Sequence, residues 1–332
     1  MSKVKASLFG LAFGDALGAP TEFLSYEEIL RRYGQRGPHE LPPRAMVTDD
    51  TQMTLAVADG LLSAMEEPPV TAERLEPRIR GRFLQWWSSD ENDRAPGRTC
   101  MDACAAMAGG KPWWEATVAG SKGCGANMRV APMGLAPGLT EDERAGAAQL
   151  QAALTHGHPT GLAASELSAF AVRWLIDGLP IAQLPETLRE RCVSQRTVYR
   201  GDWLGDQLWR QPMVESPEQF IAHGWDECRT ALEGLEEAVR HVGPDADPCS
   251  AAGAGWVAEE ALATAVYCLL LFPDSPVDAI ARGAASSGDS DSIASLAGGF
   301  AGAAHGEDAW PAEWYERIEY RAELDRLAKA WS

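Results

Sequence analysis

An apolar segment near the start of the chain carries glycine at every fourth position, at Gly10, Gly14 and Gly18. Residues four apart lie on one face of a helix, so a second helix can approach this face closely. Asp15 follows Leu11 by four residues and therefore falls on an apolar stripe. A buried carboxylate is costly unless it is paired or bound to a metal. The sequence thus predicts a buried first helix that holds a carboxylate in need of a partner.

The same segment imitates a signal peptide, because two lysines precede a short apolar run. Glycines and Asp15 interrupt the run, and no apolar stretch approaches the ~20 residues needed to span a bilayer. The seven cysteines are an odd number and include no Cys-x-x-Cys pair, a pattern typical of free thiols in a reducing compartment. We therefore expect a cytoplasmic protein without membrane attachment. A net charge of −19 argues against nucleic acid and anionic membrane surfaces as partners.

Helix signals dominate the rest of the chain. "SYEEILRRYG" starts at Ser25 and stops at Gly34, and "TEDERAGAAQLQAALTHG" carries Thr140 and Glu143 in the spacing of a capping box. Further helices are predicted at 48–65, 72–90, 99–108, 160–178, 225–241, 254–272, 276–286, 290–304 and 312–330. Convincing strand alternation is absent, and no low-complexity linker divides the chain. We predict one all-α domain over residues 1–332, although the length suggests about two domains.

Two of these helices begin with paired carboxylates among hydroxyl groups. "VTDDTQM" places Asp49 and Asp50 after Thr48, and "SSGDSDSIASL" places Asp289 and Asp291 before an apolar run. Helix capping is the ordinary interpretation of each start alone. If the two starts converge, however, four carboxylates need a cation between them. Carboxylate and hydroxyl oxygens suit Mg²⁺ or Mn²⁺ rather than zinc.

A glycine-rich segment, "SKGCGANMR", offers a different chemistry. Gly123, Gly125 and the small Ala126 would let backbone amides approach a ligand and form an anion-binding nest. By itself such a segment is more often a simple turn. Lys122 and Arg129 would either contact phosphate or be solvated or paired with acids.

Together these motifs resemble the ADP-ribosylglycohydrolase family. The resemblance rests on six segments in family order: "GLAFGDALGAPTEF" (10–23), "TDDTQM" (48–53), "KGCGANMRVAPMGL" (122–135), "LTHGHPTGLAAS" (154–165), "GWVAEEALATAVYCLL" (255–270) and "GDSDSIASLAGGFAGA" (288–303). It implies an all-α, orthogonal multi-helix fold in one compact domain. It also implies a two-metal site for Mg²⁺ or Mn²⁺.

The resemblance further implies the roles of individual residues. The metal ligands would be Thr48, Asp49, Asp50, Asp289, Asp291 and Ser292. ADP-ribose would be bound by Gly123, Cys124, Gly125, Ala126, Asn127 and, near the distal ribose, His156. Glu22 matches a mobile acidic residue on a loop that gates the cleft, and either Glu22 or Asp49 would act as the catalytic base. Trp256, after Gly255, either packs in the core or lines the cleft.

The chain departs from the family pattern at three positions. Ser290 and Ser292 replace threonines, which keeps each hydroxyl but loses the methyl group that stiffens the rotamer. Cys124 stands where asparagine is common, so a contact to the ligand is expected to change.

The implied activity is hydrolysis of the glycosidic bond between ADP-ribose and an acceptor such as an arginine side chain of a protein. Its partners would be ADP-ribosylated proteins and, through the same modification, an ADP-ribosyltransferase or toxin. Two alternatives remain open at this point: an immunity protein that blocks an ADP-ribosylating toxin by binding, and a two-metal phosphoester hydrolase.

Overall fold

The computed structural model of the protein describes residues 2–332 and is built from helices. Their bounds are α1 Lys3–Gly18, α2 Tyr26–Tyr33, α3 Asp49–Met65, α4 Ala72–Trp87, α5 Arg98–Ala108, α6 Trp113–Ala116, α7 Ala131–Leu135, α8 Glu141–Ala153, α9 Pro159–Ile176, α10 Leu184–Gln195, α11 Gly201–Leu204, α12 Pro217–Leu232, α13 Leu235–His241, α14 Cys249–Ala252, α15 Ala258–Leu271, α16 Pro276–Ala284, α17 Ser290–His305, α18 Ala312–Arg317 and α19 Arg321–Trp331. Within residues 2–332 the β-type pairing is limited to isolated bridges, such as Gly123 with Val257. The all-α prediction is confirmed.

Two predicted helices are each divided in two. The segment 225–241 belongs to α12 and α13, which are separated at Gly234, where φ is +82°. The segment 312–330 forms α18 and α19, because Ile318 pairs with Ala45 and Tyr320 adopts a left-handed conformation between them. The sequence analysis also missed α10, which begins with the sequence Leu-Pro-Glu.

Helices α1 and α17 pack together along the predicted glycine face. A Cβ atom placed on Gly14 would lie 2.0 Å from the carbonyl oxygen of Ala294, and one on Gly298 would lie 1.9 Å from that of Gly10. Because real Cβ atoms do not approach backbone atoms so closely, this spacing admits only glycine at these positions. The C-terminal end of α1 therefore meets the first turn of α17, where a Cβ on Gly18 would contact the backbone of Asp291.

The other long helices surround this pair. Helix α17 also packs against α9, α15 and α16, and α9 contacts α8 and α12. Apolar residues from these helices share one hydrophobic core, in which Phe9, Phe13, Leu162, Ile293 and Phe300 are buried. Residues 2–332 include no helix that combines the length and the apolar character needed to cross a membrane.

The close approach of α1 and α17 predicts the outcome of a matched pair of substitutions. Gly14→Ala should lower the free energy of unfolding by about 3 kcal/mol or more, because its methyl group would overlap the backbone of Ala294. Gly81→Ala, in the interior of α4 with open space around it, should raise that free energy by about 0.5–1 kcal/mol. Urea unfolding of the two variants measures both changes. Equal stability of the two variants would contradict the packing described.

Candidate active site

One cleft collects most of the residues that the sequence analysis singled out. It has a volume of about 350 Å³ and lies where the starts of α3, α5 and α17 meet the loop after α1 and the segment 121–126. Of the predicted site residues, it is lined by Glu22, Asp49, Asp50, Gly123, Cys124, Gly125, His156, Asp289, Asp291 and Ser292. Trp256 also lines the cleft, so of its two predicted positions, in the core or at the cleft, the structure has the second.

Asp15 fixes the position of α3. Its carboxylate is fully buried and accepts hydrogen bonds from the backbone N–H of Thr48 at 2.9 Å and of Thr51 at 3.0 Å, and from the hydroxyl of Thr51 at 2.6 Å. These donors belong to the first turn of α3, so a side chain of α1 caps a second helix. The buried carboxylate predicted to need a partner therefore has one, and the cap orients Asp49 and Asp50.

The acidic residues of the two helix starts come together with Glu22. One carboxylate oxygen each of Glu22, Asp289 and Asp291 lies within 4.8 Å of the others. Asp50 is buried, and its Oδ1 has no hydrogen-bond partner within residues 2–332. Asp49 is held by the backbone N–H of Gly97, which donates to its Oδ2 at 3.2 Å.

This crowding disfavours the ionised forms. Burial, together with the charges of Asp291, Asp49 and Asp15, raises the pKa of Glu22 to about 8. Burial raises the pKa of Asp49 to about 7, although the hydrogen bond from Gly97 opposes the shift. The pKa of Asp50 also lies well above its usual range, because of burial and then the charge of Asp291.

The site fits a divalent cation. Several carboxylates converge, and Oδ1 of buried Asp50 lacks a partner within residues 2–332. Ser292 lines the cleft with them, and the hydroxyl of Thr48, which is not on the cleft surface, lies 3.4 Å from Oδ2 of Asp50. Within residues 2–332, Arg98 is the one arginine or lysine on the cleft surface, and it is solvent-exposed and paired with Asp102 on its own helix. Oxygen donors of this kind match the preference of Mg²⁺ and Mn²⁺.

The glycine segment forms a second wall of the cleft. Cys124–Ala126 form a single 3₁₀ turn, and the N–H of Cys124 donates to the carbonyl of Trp256 at 3.1 Å. That N–H is therefore not free to bind an anion, whereas the sequence analysis predicted an anion-binding nest of backbone amides in this segment. The φ angle of Gly123 is −57°, so close packing rather than a left-handed conformation explains this glycine. A Cβ there would lie 3.3 Å from Nε2 of His156.

Ala126 and Asn127 are placed beneath the cleft rather than on its surface. Both are fully buried, and Nδ2 of Asn127 donates to the carbonyl of Ala258 at 3.1 Å. Lys122 is paired with Glu227 at 2.9 Å and with Glu259. These contacts tie the glycine segment to α12 and α15.

His156 lies under the glycine segment as a neutral imidazole. Burial, and then the charge of Arg129, holds its pKa well below its usual range. Its Nδ1 is 2.8 Å from the hydroxyl of Thr155, which also accepts a hydrogen bond from Arg129 at 2.7 Å. Arg129 is itself buried over the ring of Phe83, so it supports His156 and does not face the ligand cleft. His158, in contrast, caps α9.

One wall of the cleft was missed by the sequence analysis. It is formed by residues 95–100, which lead into α5. Arg94 anchors this wall, since it donates to the carbonyl of Val47 at 2.9 Å and pairs with Glu319. The Pro-Gly pair at 96–97 was the available signal, but nothing in the sequence shows that it reaches Asp49.

Comparison with protein families matches the whole chain, residues 1–332, to the ADP-ribosylglycohydrolase family. The protein belongs to that family. Human ADP-ribosylhydrolase ARH3 is 26% identical, covering 99% of this chain and 93% of the human protein. ADP-ribosylarginine hydrolase Tri1 of Serratia proteamaculans is 24% identical, covering 99% of this chain and 78% of the relative.

Solved structures agree with this assignment. A chain described as part of an "ADP-ribosylglycohydrolase-related protein complex" superimposes with a TM-score of 0.67 at 26% identity, covering 99% of this chain and 96% of that one. The identification made from the six motifs is therefore confirmed, as is the helical fold. As a member of the ADP-ribosylglycohydrolase family, the protein is an enzyme of the ADP-ribosylhydrolase class.

The raised pKa values predict how pH affects the metal-free protein. A carboxyl group whose pKa is raised by folding stabilises the fold below its unfolded pKa, and this contribution is lost as pH rises through the folded pKa. For Asp49 and Glu22 the loss extends from about pH 4 to about pH 8. The melting temperature of chelated protein should fall over this range. Added Mg²⁺ should raise it most at the alkaline end, because cations bind the ionised groups.

Glu22→Gln is the control for this measurement, since it removes one of the titrating groups and should make the decline shallower. Differential scanning fluorimetry across the pH range, with and without Mg²⁺, gives both curves. A Mg²⁺-induced rise in melting temperature that is equal at the two ends of the range would contradict the prediction.

Proposed function

We propose that this ADP-ribosylglycohydrolase is a metal-dependent hydrolase that cleaves the glycosidic bond between ADP-ribose and an arginine side chain of a protein. The observation that carries the proposal is the convergence of both acidic helix starts with the glycine segment in one cleft. The printed name of the Serratia relative, an ADP-ribosylarginine hydrolase, supports arginine as the acceptor.

The cleft provides for the two ends of the ligand differently. The glycine wall, at Gly123 and Gly125, presents backbone without side chains and suits the approach of the diphosphate. Neutral His156, beneath that wall, can hydrogen-bond a ribose hydroxyl without adding charge. The acidic residues line the same cleft, so the scissile bond of the distal ribose would be placed beside the carboxylates. In this arrangement Cys124, Ala126 and Asn127 maintain the shape of the wall.

Thr48, Asp49, Asp50, Asp289, Asp291 and Ser292 would hold two Mg²⁺ or Mn²⁺ ions. Divalent cations supply positive charge and Lewis acidity at such a site. Five carboxylates, counting Glu22, carry a charge of −5 when ionised, which two divalent cations nearly balance.

Hydrolysis adds water across the glycosidic bond. The hydroxyl group goes to the anomeric carbon, the bond to the acceptor nitrogen breaks, and a proton goes to that nitrogen. Asp49 and Glu22 are both candidates for accepting the proton from water. Asp49 is held in place by Gly97, whereas Glu22 lies on a half-buried loop. Either carboxyl would then return a proton to the leaving group.

The proposal extends to the surroundings of the enzyme. Its protein partners would be ADP-ribosylated substrates, modified by an ADP-ribosyltransferase or toxin. All seven cysteines are free thiols, which supports the reducing environment of the cytoplasm.

An arginine-linked substrate tests the reaction directly. Incubation with an ADP-ribosylated arginine peptide and Mg²⁺ should release ADP-ribose, and extensive chelation should abolish that release and lower the melting temperature. Chromatography of the products separates the competing functions. Released AMP would indicate a phosphoester hydrolase, and peptide binding without turnover would indicate a binding protein. Full activity in metal-free protein would refute the metal dependence.

Ser292 tests the nature of the metal ligand. It is buried in the first turn of α17, and its hydroxyl lies 3.8 Å from Sδ of Met128. Ser292→Ala deletes the oxygen and should weaken Mg²⁺ binding by about 10-fold or more, whereas Ser292→Thr keeps the oxygen and should retain affinity. Isothermal titration with Mg²⁺ measures both. If Ser292→Ala binds Mg²⁺ like the wild type, Ser292 is not a ligand.

A further inference from the structure

Phe23, the residue that directly follows Glu22, has two unusual properties. Its φ angle is +65°, although it is not glycine, and the residue is 70% exposed. It occupies the third position of a turn closed by the N–H of Leu24, which donates to the carbonyl of Thr21 at 3.0 Å. Positive φ at this turn position is typical of glycine or asparagine. An exposed aromatic residue in this conformation carries strain that packing in the core does not explain.

The ring of Phe23 is stacked on the indole of Trp256. The ring centroids are 5.6 Å apart and the planes are inclined by 18°. Trp256 is also 43% exposed, so the pair lies at the rim of the cleft and not in the core. Aromatic pairs of this kind stabilise the contact beyond the area that they bury.

Trp256 belongs to a firmly held segment. The carbonyl of Ala254 accepts a hydrogen bond from the N–H of Asp289 at 2.8 Å, and the N–H of Ala258 donates to the carbonyl of Lys122 at 2.8 Å. The segment is thus bonded to the acidic wall at one end and to the glycine wall at the other. A ring stacked on Trp256 is therefore held in a fixed position relative to both walls of the cleft.

Glu22, in contrast, lies on a half-buried loop. One oxygen of its carboxylate lies within 4.8 Å of those of Asp289 and Asp291. The loop itself is anchored behind Glu22, where the buried hydroxyl of Thr21 contacts the carbonyl of Ala284 at 2.6 Å. On the other side of Glu22, the restraint is the stack of Phe23 on Trp256.

We propose that Phe23 and Trp256 form an aromatic latch that holds Glu22 in the cleft, so that Phe23 is a positioning residue for the reaction. The latch rests on the proposed function for its catalytic consequence. The strained turn directs the Phe23 ring towards Trp256, and the same turn directs Glu22 towards Asp289 and Asp291.

Three variants separate positioning from folding. Phe23→Asn deletes the ring with a residue that tolerates positive φ, and Phe23→Tyr retains the ring. Met213→Ala is the matched control, because Met213 also has φ of +65°, is 96% exposed and lies outside the cleft. With an ADP-ribosylated arginine peptide and Mg²⁺, Phe23→Asn should lower kcat by about 10- to 100-fold with a smaller change in KM. Phe23→Tyr and Met213→Ala should match the wild type, and all three should melt near the wild-type temperature.

Two measurements do not depend on turnover. Hydrogen–deuterium exchange in residues 19–25 should rise in Phe23→Asn and not in Phe23→Tyr or Met213→Ala. Magnesium titration should show the same loss of affinity for Phe23→Asn, for Glu22→Gln and for the double variant, because Phe23 acts through Glu22.

Wild-type exchange and kcat in Phe23→Asn would overturn the latch. So would losses of affinity that add in full in the double variant, since Phe23 would then act independently of Glu22. If the wild type releases no ADP-ribose, the proposed function fails, while exchange and magnesium titration still decide whether the latch exists.

Discussion

The close packing of α1 against α17 is the constraint on which the site depends. At Gly14 and Gly298 the two backbones approach so closely that no side chain fits between them. This contact brings the end of α1 to the first turn of α17, and hence the Glu22 loop to Asp289 and Asp291. Small residues therefore act at a distance from the chemistry, because they determine how near the acidic groups can come.

Asp15 extends this constraint to the start of α3, which bears Asp49 and Asp50. It lies on α1 but caps α3, so the position of Asp49 and Asp50 follows from the position of α1. Three segments distant in sequence are thereby fixed relative to one helix. The cost is a set of buried carboxylates with raised pKa values, which makes the metal-free site a source of instability that cations would relieve.

The glycine wall is organised by hydrogen bonds and by the ion pairs of Lys122 with Glu227 and Glu259. The segment 254–258 bonds to Asp289 on one side and to Cys124 and Lys122 on the other, and Arg129 and Thr155 support His156 from below. A wall built in this way would present backbone and neutral groups to the proposed ligand, whose diphosphate is anionic. The proposed division of the cleft into a cation side and a diphosphate side follows from this difference in construction.

The sequence alone determined the helical class, the glycine face of α1 and the six motifs, because helix caps and i, i+4 spacing are local properties. It also gave the residue types of the acidic and glycine walls. Only the tertiary structure decided that Asp15 caps α3, that residues 95–100 form a third wall, and that Phe23 meets Trp256. Each of these contacts joins residues at least about thirty positions apart, and such distances depend on how helices pack rather than on any local pattern.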